Sequence, residues 1–180
     1  MLKKFVLGGM TALVLAACGG EGGSASSSAP AQSANASGSL IERINNKGTI
    51  TVGTEGTYAP FTYHDKDGKL TGYDVEVTRA VADKLGVKVE FKETQWDSMM
   101  AGLKAGRFDV VANQVGLTSP ERQATFDKSE PYSWSGAVLV ARNDSNIKSI
   151  DDIKGVKTAQ SLTSNYGEKA KAAGAELVPV

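Results

Sequence analysis

Four side chains in this sequence have the types and the spacing needed to bind a small solute that carries a carboxylate. Tyr58 and Phe61 share one loop, Trp96 opens a second segment, and Arg122 closes a third. Aromatic rings form apolar walls, and a guanidinium pairs with a carboxylate through two parallel hydrogen bonds. The set therefore predicts a pocket for such a solute. A role in the plain hydrophobic core is the open alternative for the three rings.

The segment around Arg122 predicts a short helix. Ser119 is suited to the N-cap and Pro120 to the first helical position. A guanidinium in the first turn is unfavourable for the helix dipole, so an anion is expected beside it. That anion is either a bound carboxylate or a neighbouring side chain, Glu121 or Glu130, in a surface ion pair.

The three loops follow strands of a predicted parallel sheet. The alternation of β-rich and helical patterns is strand, helix, strand, helix, strand, over residues 49–56, 73–86, 87–92, 94–106 and 108–115. Ligands bind beyond the carboxyl ends of such strands. The informative loops are therefore those after Gly53, Lys92 and Val111.

Helical periodicity predicts which faces are buried. In the first long helix Val77, Val81 and Leu85 recur at i+4 with Ala80 beside them, and Gly86 ends the pattern. In the second helix the apolar stripe consists of Trp96, Met99, Met100 and Leu103. Thr94 is its candidate N-cap, and Gly106 ends the pattern.

Further elements complete an α/β pattern. Residues 60–72 predict a strand pair around an Asp67-Gly68 turn, and residues 135–144 predict a long apolar strand. From about Ser145 the pattern restarts with a short helix, a strand, a helix and a last strand, which predicts a second, smaller lobe.

The N-terminal region predicts export. Lys3 and Lys4 precede an apolar run over 5–17, and the only cysteine, Cys18, follows it. The residues before Cys18 resemble the bacterial lipobox, which implies a signal peptide over 1–17 and an acylated cysteine. A plain secretory signal with an incidental cysteine is the alternative. Residues 18–39 then predict a lipidated cysteine and a flexible tether.

Composition narrows the classes of function. Without Lys3 and Lys4 the chain has 18 basic and 20 acidic residues, so nucleic acid is not an expected partner. The sequence has no His/Cys cluster for a metal, no nucleophile elbow and no phosphate loop. We therefore expect no catalytic residue, no cofactor and no metal, and His64 is expected to be a solvated loop residue.

The stretch from Gly72 to Leu85, "GYDVEVTRAVADKL", resembles the signature of family 3 solute-binding proteins. The resemblance continues through "GTEGTYAPF", "WDSMMAGLKAGRFDVV", "TSPER", "FDKSEPYSWSGAVLV" and "LTSNYGE", and so covers the chain from about Leu40 onward. Within that family the sequence is most similar to the cystine-binding branch of polar amino acid binders.

The resemblance implies a type II periplasmic-binding-protein-like α/β fold of two lobes that close on an amino acid. Lobe 1 is expected over 40–135, and a hinge strand with a partial lobe 2 over 136–180. The family's second lobe is longer and supplies a later acidic residue for the α-ammonium, so the second lobe is expected to be incomplete. Binding weaker than that of a full-length relative is expected.

The resemblance also implies roles for individual residues. Arg122 is expected to hold the ligand α-carboxylate, helped by main-chain donors near Val115 and by the start of a helix at Ser164. In the family a residue with a hydroxyl group is common at the position of Gly116. The hydroxyl of Thr118 is the candidate substitute for it. The expected ligand-binding set is Tyr58, Phe61, Trp96, Asn113, Gln114, Val115, Thr118, Arg122 and Ser164.

The implied function is amino acid capture for an ABC importer, with cystine or cysteine as the favoured ligand. The implied partners are a permease in the inner membrane and a lipid anchor, such as palmitate, on Cys18. The implied location is the periplasm or cell envelope. A sensory or adhesive lipoprotein and a dehydratase-like periplasmic enzyme are the alternative functions for the same fold.

Overall fold

The computed structural model describes residues 38–180, beginning just before helix α1 (Leu40–Lys47). The sequence patterns above do not predict this helix, although it has complete local signals. Ser39 Oγ accepts from the Glu42 N–H, and the Glu42 carboxylate accepts from the Ser39 N–H at 2.7 Å, which forms a capping box. The predicted signal peptide and Cys18 lie outside the described residues.

The other elements are strands and helices, with four strands before the second helix. In chain order they are β1 (Thr49–Thr54), β2 (Thr57–Tyr58), β3 (Thr62–His64), β4 (Leu70–Thr71), α2 (Tyr73–Leu85), β5 (Lys88–Glu93), α3 (Trp96–Lys104), β6 (Val110–Val111), α4 (Pro120–Thr125), a 3₁₀ turn (Ile150–Ile153), β7 (Lys157–Ala159), α5 (Asn165–Ala172) and β8 (Glu176–Val178). Among the described residues, none forms a helix long and apolar enough to cross a membrane.

The central sheet has the order β5-β1-β6, and both pairings are parallel. This confirms the predicted alternation, with α2 and α3 as the crossovers. Strand β1 lies in the middle and is buried over most of its length. Its apolar side chains pack with α1 and α2 in a core formed by Ile44, Ile50, Val52, Ala82 and Ala112. The three predicted loops therefore leave the same edge of one sheet.

Helix α2 forms where predicted but turns a different face to the sheet. Val81 and Leu85, expected in the core, are 48% and 39% exposed. The buried positions are instead Asp74, Val75, Thr78 and Ala82. Both stripes have helical spacing, so periodicity alone does not separate them. The sheet accepts the face with smaller side chains, and that face carries a carboxylate.

Helix α3 confirms the predicted stripe. Met99 is fully buried, and Trp96, Met100 and Leu103 are half-buried. The predicted N-cap is wrong, because Gln95 occupies that position and makes no side-chain capping bond.

The predicted strand pair around Asp67 and Gly68 is confirmed as β3 and β4, and β2 adds a third antiparallel strand. The chain enters α2 through Gly72, whose φ is 121°. A Cβ at this position would lie 2.3 Å from the carbonyl oxygen of Phe61. Only glycine fits this approach, which fixes the Phe61 loop against the start of α2.

The long strand predicted over 135–144, including the expected hinge strand, is not formed. Residues 135–142 have no regular secondary structure, and Val138 and Val140 are 85% and 88% exposed. A strand needs a neighbour to pair its main-chain N–H and C=O groups, and the described part of the chain offers none here.

The second predicted α/β unit is present as β7 and β8, which pair in parallel, with α5 packed against β8. The predicted short helix at its start is the 3₁₀ turn, which buries Ile153. Ser164 caps α5, because its Oγ accepts from the Gly167 N–H at 2.9 Å. The predicted helix start at Ser164 is thus confirmed.

Candidate functional site

The guanidinium of Arg122 is the centre of the candidate site. The side chain lies in the first turn of α4, where Ser119 caps the helix and Pro120 occupies an initial position, as predicted. Arg122 is only 7% exposed. Its Nη1 donates to the Gly116 carbonyl at 2.9 Å, and its Nη2 donates to the Thr163 carbonyl at 2.6 Å.

Within the described residues, no carboxylate pairs with Arg122, so the alternative ion pair with Glu121 or Glu130 is not formed. A guanidinium has five N–H donors, and the two carbonyl bonds use two of them. A buried cation without a counter-ion is costly. The geometry therefore leaves donors and an unbalanced positive charge for an anion.

Trp96 forms one wall beside this cation. The Arg122 guanidinium lies over its ring, 5.5 Å from the ring centroid, in a cation–π contact. The Nε1–H of Trp96 is buried and has no hydrogen-bond partner among the described residues. Unpaired buried donors are uncommon in folded chains, so a further acceptor is expected here.

Tyr58 and Phe61 form a second aromatic pair, with ring centroids 5.2 Å apart. Tyr58 is 43% exposed, so it is not a plain core residue. Burial raises the pKa of the Tyr58 hydroxyl, and nearby Tyr166, Glu55 and Asp74 raise it further. Because Tyr166 belongs to α5, the start of that helix faces the Tyr58 loop.

Thr163 connects the start of α5 to the loops of the central sheet. Its carbonyl accepts from Arg122, while its N–H and hydroxyl donate to Asp97 Oδ1 at 3.2 and 2.7 Å. The adjacent Ser164 hydroxyl caps α5 and also bonds to Gln160, so it is already used within the second unit. The start of α5 therefore lies beside Arg122, and the residue there that contacts Arg122 is Thr163, not Ser164.

The two amide side chains expected at the pocket wall, Asn113 and Gln114, have hydrogen-bond partners within the chain. Asn113 Oδ1 accepts from the Glu55 N–H at 2.8 Å, and Asn113 Nδ2 donates to the Glu55 carboxylate at 2.8 Å. Gln114 binds Asp74 through both its main-chain N–H and its Nε2. Asn113 is 1% exposed. Both residues hold the loop after β6 in place, and their direct contact with a ligand stays a prediction.

The loop between β6 and α4 lies against the start of α5. A Cβ on Gly116 would lie 3.5 Å from Asn165 Nδ2. Val115 is half-buried, whereas Thr118 is exposed. The main chain near Val115 thus runs beside Arg122 as expected, and the ligand roles of Val115 and Thr118 stay predictions.

Two open recesses on the described part of the chain lie away from Arg122. One is lined by 91–94 with Arg107 and Phe108, and the other by Leu117, Gln123 and 126–128. Neither contains the predicted aromatic walls. At Arg122 itself, the Thr163 carbonyl is in direct contact with the guanidinium.

Sequence reasoning did not identify Asp74, Asp97 or Thr163. The first two look like ordinary acidic residues in the first turn of a helix, where the dipole favours them. His64, expected to be solvated, lies 3.1 Å from the Glu93 carboxylate through Nε2. These contacts join residues far apart in sequence, which local patterns do not report.

Comparison with known proteins identifies similar chains. The family model for bacterial extracellular solute-binding proteins, family 3, matches residues 50–175. A probable amino-acid ABC transporter-binding protein of Haemophilus influenzae is 60% identical over 144 residues, which are 79% of this chain and 56% of that protein. The L-cystine-binding protein TcyA of Bacillus subtilis is 61% identical over 142 residues, 78% of this chain and 52% of that protein.

A solved structure is also similar. The L-cystine solute receptor of Neisseria gonorrhoeae, in its unliganded open conformation, is 96% identical, with a TM-score of 0.53. The match covers 79% of this chain and 60% of that one. The chain spans about half the length of the curated relatives it matches.

Proposed function

Because this chain belongs to the family 3 bacterial extracellular solute-binding proteins, with their type II periplasmic-binding fold, we propose that it captures an amino acid for an ABC importer. The observation that carries this proposal is Arg122. A buried guanidinium with free donors and no carboxylate partner among the described residues is suited to a ligand α-carboxylate.

The surroundings of Arg122 support an amino acid over a larger anion. Trp96 covers one side of the guanidinium and brings an unpaired Nε1–H, and the Tyr58–Phe61 ring pair is expected to form a second wall. These groups offer apolar contact beside a small number of polar donors, which is the composition of small-solute sites.

Both units take part in the proposed binding. Thr163 at the start of α5 already contacts Arg122 and Asp97 of the central-sheet unit. A ligand carboxylate that binds Arg122 either displaces the Thr163 carbonyl or binds beside it. Contacts to both units at once favour the closed arrangement, which a transporter can distinguish from an open one.

We propose L-cystine as the first ligand to test, with L-cysteine next. The support comes from the relatives, because TcyA and the Neisseria gonorrhoeae receptor are named for binding L-cystine. Among the described residues, Arg122 favours a ligand with a carboxylate.

We also propose that the protein works in the cell envelope as a lipoprotein anchored through Cys18, with a membrane permease as partner. The support is the basic and apolar N-terminal pattern that ends at Cys18. A binding role without catalysis is part of the proposal, since the relatives named above are binding proteins.

A fluorescence titration tests the proposal. The chain has two tryptophans, and Trp134 is 83% exposed, so Trp134→Phe leaves Trp96 as the only reporter. We expect a saturable change with L-cystine and none with L-cystine dimethyl ester, which has no free carboxylate. L-cysteine, L-glutamine and L-arginine test selectivity. No response to any of the four amino acids from a folded sample would contradict the proposed function.

A further inference from the structure

Asp74 is the only acidic side chain that is fully buried in the described part of the chain, at 0% exposure. It lies in the first turn of α2, and its N–H donates to the Phe61 carbonyl at 2.9 Å. A helix dipole favours a carboxylate at this end, but an exposed one would serve equally well. Complete burial of a carboxylate is costly and requires specific partners.

Both carboxylate oxygens of Asp74 bind one residue, Gln114. Oδ2 accepts from the Gln114 main-chain N–H at 2.7 Å, and Oδ1 accepts from Gln114 Nε2 at 2.6 Å. The two bonds fix the orientation of both the main chain and the side chain. They join positions 40 residues apart.

Gln114 has a φ of 51°, the only positive φ among the described residues that are not glycine. A left-handed conformation is unfavourable for a residue with a Cβ, so it needs support from its surroundings. Gln114 is the third residue after β6 and leads into the loop whose Gly116 carbonyl accepts from Arg122. Its conformation therefore sets the direction in which this loop leaves the sheet.

Gln114 also binds the segment after α4. Ser133 Oγ donates to Gln114 Oε1 at 3.1 Å, and Tyr73 Oη donates to the Tyr132 carbonyl at 2.7 Å. Burial raises the pKa of the Tyr132 hydroxyl, and the neighbouring Asp74 carboxylate raises it further. The Asp74–Gln114 pair therefore contacts Tyr132 and Ser133, in the segment that connects the central-sheet unit to the second unit.

We propose that Asp74 is a positioning residue for amino acid binding: it holds Gln114 in the left-handed conformation, which places the 115–117 loop beside Arg122 and ties that loop to Tyr132 and Ser133. Asp74 acts through Gln114 and does not touch the ligand. This inference rests on the proposed function, because the loop position matters to affinity only if the loop meets an amino acid.

A purely stabilising role for Asp74 predicts a different pattern of effects. Loss of the carboxylate would then lower stability whatever residue occupies position 114. Glycine adopts a positive φ without steric cost, so it does not need the carboxylate to hold it there. Substitution of Gln114 by glycine therefore separates the two roles.

The test is a double-mutant cycle of Asp74→Asn and Gln114→Gly, with L-cystine affinity measured by calorimetry. We expect Asp74→Asn to weaken binding at least tenfold in the parent chain and less than threefold in the Gln114→Gly background. An equal loss in both backgrounds, or no loss in either, would overturn the proposal. The cycle also removes any direct contribution of the Gln114 side chain to ligand contact.

NMR of the ligand-free chain provides a readout that does not depend on ligand. Backbone chemical shifts report the conformation of residue 114, and we expect them to leave the left-handed range in Asp74→Asn but not in the double variant. Unchanged shifts in Asp74→Asn would overturn the proposal. If the parent chain binds no amino acid, the proposed function fails, while these shifts still decide whether Asp74 holds the loop.

Ser133→Ala is a milder variant that applies if Asp74→Asn unfolds the chain. It removes only the donor to Gln114 Oε1, from an exposed side chain. We expect L-cystine affinity to fall about two- to fivefold while the urea midpoint stays unchanged. Unchanged affinity would break the proposed link to the 132–133 segment and overturn the proposal as stated.

Discussion

The guanidinium of Arg122 donates to the main-chain carbonyl of Thr163 at 2.6 Å, across 41 residues of sequence. The same threonine donates to Asp97 through both its N–H and its hydroxyl. A cation and an anion of the central-sheet unit therefore hold one residue at the start of α5. The carbonyl of Thr163 therefore takes a donor that the proposed carboxylate ligand would use.

Arg122→Lys is expected to weaken L-cystine binding about 10- to 100-fold, or about 1.5–3 kcal/mol. A lysine ammonium cannot reproduce the planar fork or the stacking on Trp96. The matched control is Arg142→Lys, because Arg142 is highly exposed and pairs only with Asp144 among the described residues. Equal affinities of the two variants would contradict the role of Arg122.

The contact between Asp97 and Thr163 is expected to have a small coupling free energy, about 0.5 kcal/mol, because both side chains are exposed. A double-mutant cycle of Asp97→Ala and Thr163→Val, measured by urea unfolding of the ligand-free chain, gives this value. Thr163→Val keeps the carbonyl that accepts from Arg122. Strict additivity of the two substitutions would show that the hydroxyl contact contributes nothing.

Asp74 is expected to make stability fall as pH rises. Burial raises its pKa above the ordinary value of 3.8, although hydrogen bonds from Gln114 act in the opposite direction. The folded chain then binds the proton more tightly than the unfolded chain. The contribution of Asp74 is therefore fully present below pH 3.8 and is lost as pH rises through the folded pKa.

Urea unfolding of the parent chain and Asp74→Asn over a pH series measures this effect. The difference in free energy of unfolding should shrink from acid to neutral pH. Asp152→Asn is the control of opposite sign, because hydrogen bonds from the Lys148 and Ser149 N–H groups lower the pKa of Asp152. Its difference should grow as pH rises. A difference for Asp74 that also grows would refute the assignment.

Gly72→Ala is expected to lower the free energy of unfolding by about 2–3 kcal/mol. The new Cβ would meet the Phe61 carbonyl at 2.3 Å, and the backbone at φ 121° is strained for any other residue. Gly68→Ala is the control, because Gly68 also has a positive φ but open space around it. Its cost should be about 1 kcal/mol. Equal losses would mean that steric contact at Gly72 is unimportant.

The elements that sequence predicts well are those with complete local signals. The N-caps at Ser119 and Ser164 and the apolar stripe of α3 all form as expected. Each depends on residues within one or two turns, so a linear pattern contains the necessary information. Helix α1 has an equally complete local signal in its Ser39–Glu42 capping box. It is short and has no long apolar stripe, so the periodicity of apolar residues does not predict it.

The features that sequence does not predict depend on distant partners. Two stripes of α2 have helical spacing, and the buried one packs against β5 and carries the Asp74–Gln114 contact. Spacing left a bound carboxylate and a nearby glutamate open as partners of Arg122, whereas the structure provides two main-chain carbonyls, one of them 41 residues away. Such partners follow from the three-dimensional arrangement alone.

The irregular segment from Ser135 to Asp144 is expected to affect how the purified chain behaves in concentrated solution. Its Val138 and Val140 side chains face water, and its main-chain groups have no strand neighbour among the described residues. Exposed apolar residues with unpaired main-chain groups offer a place where a peptide from another molecule can pair. The solubility limit of a concentrated sample is therefore expected to be set by this short stretch and to respond to a single lysine in place of Val140.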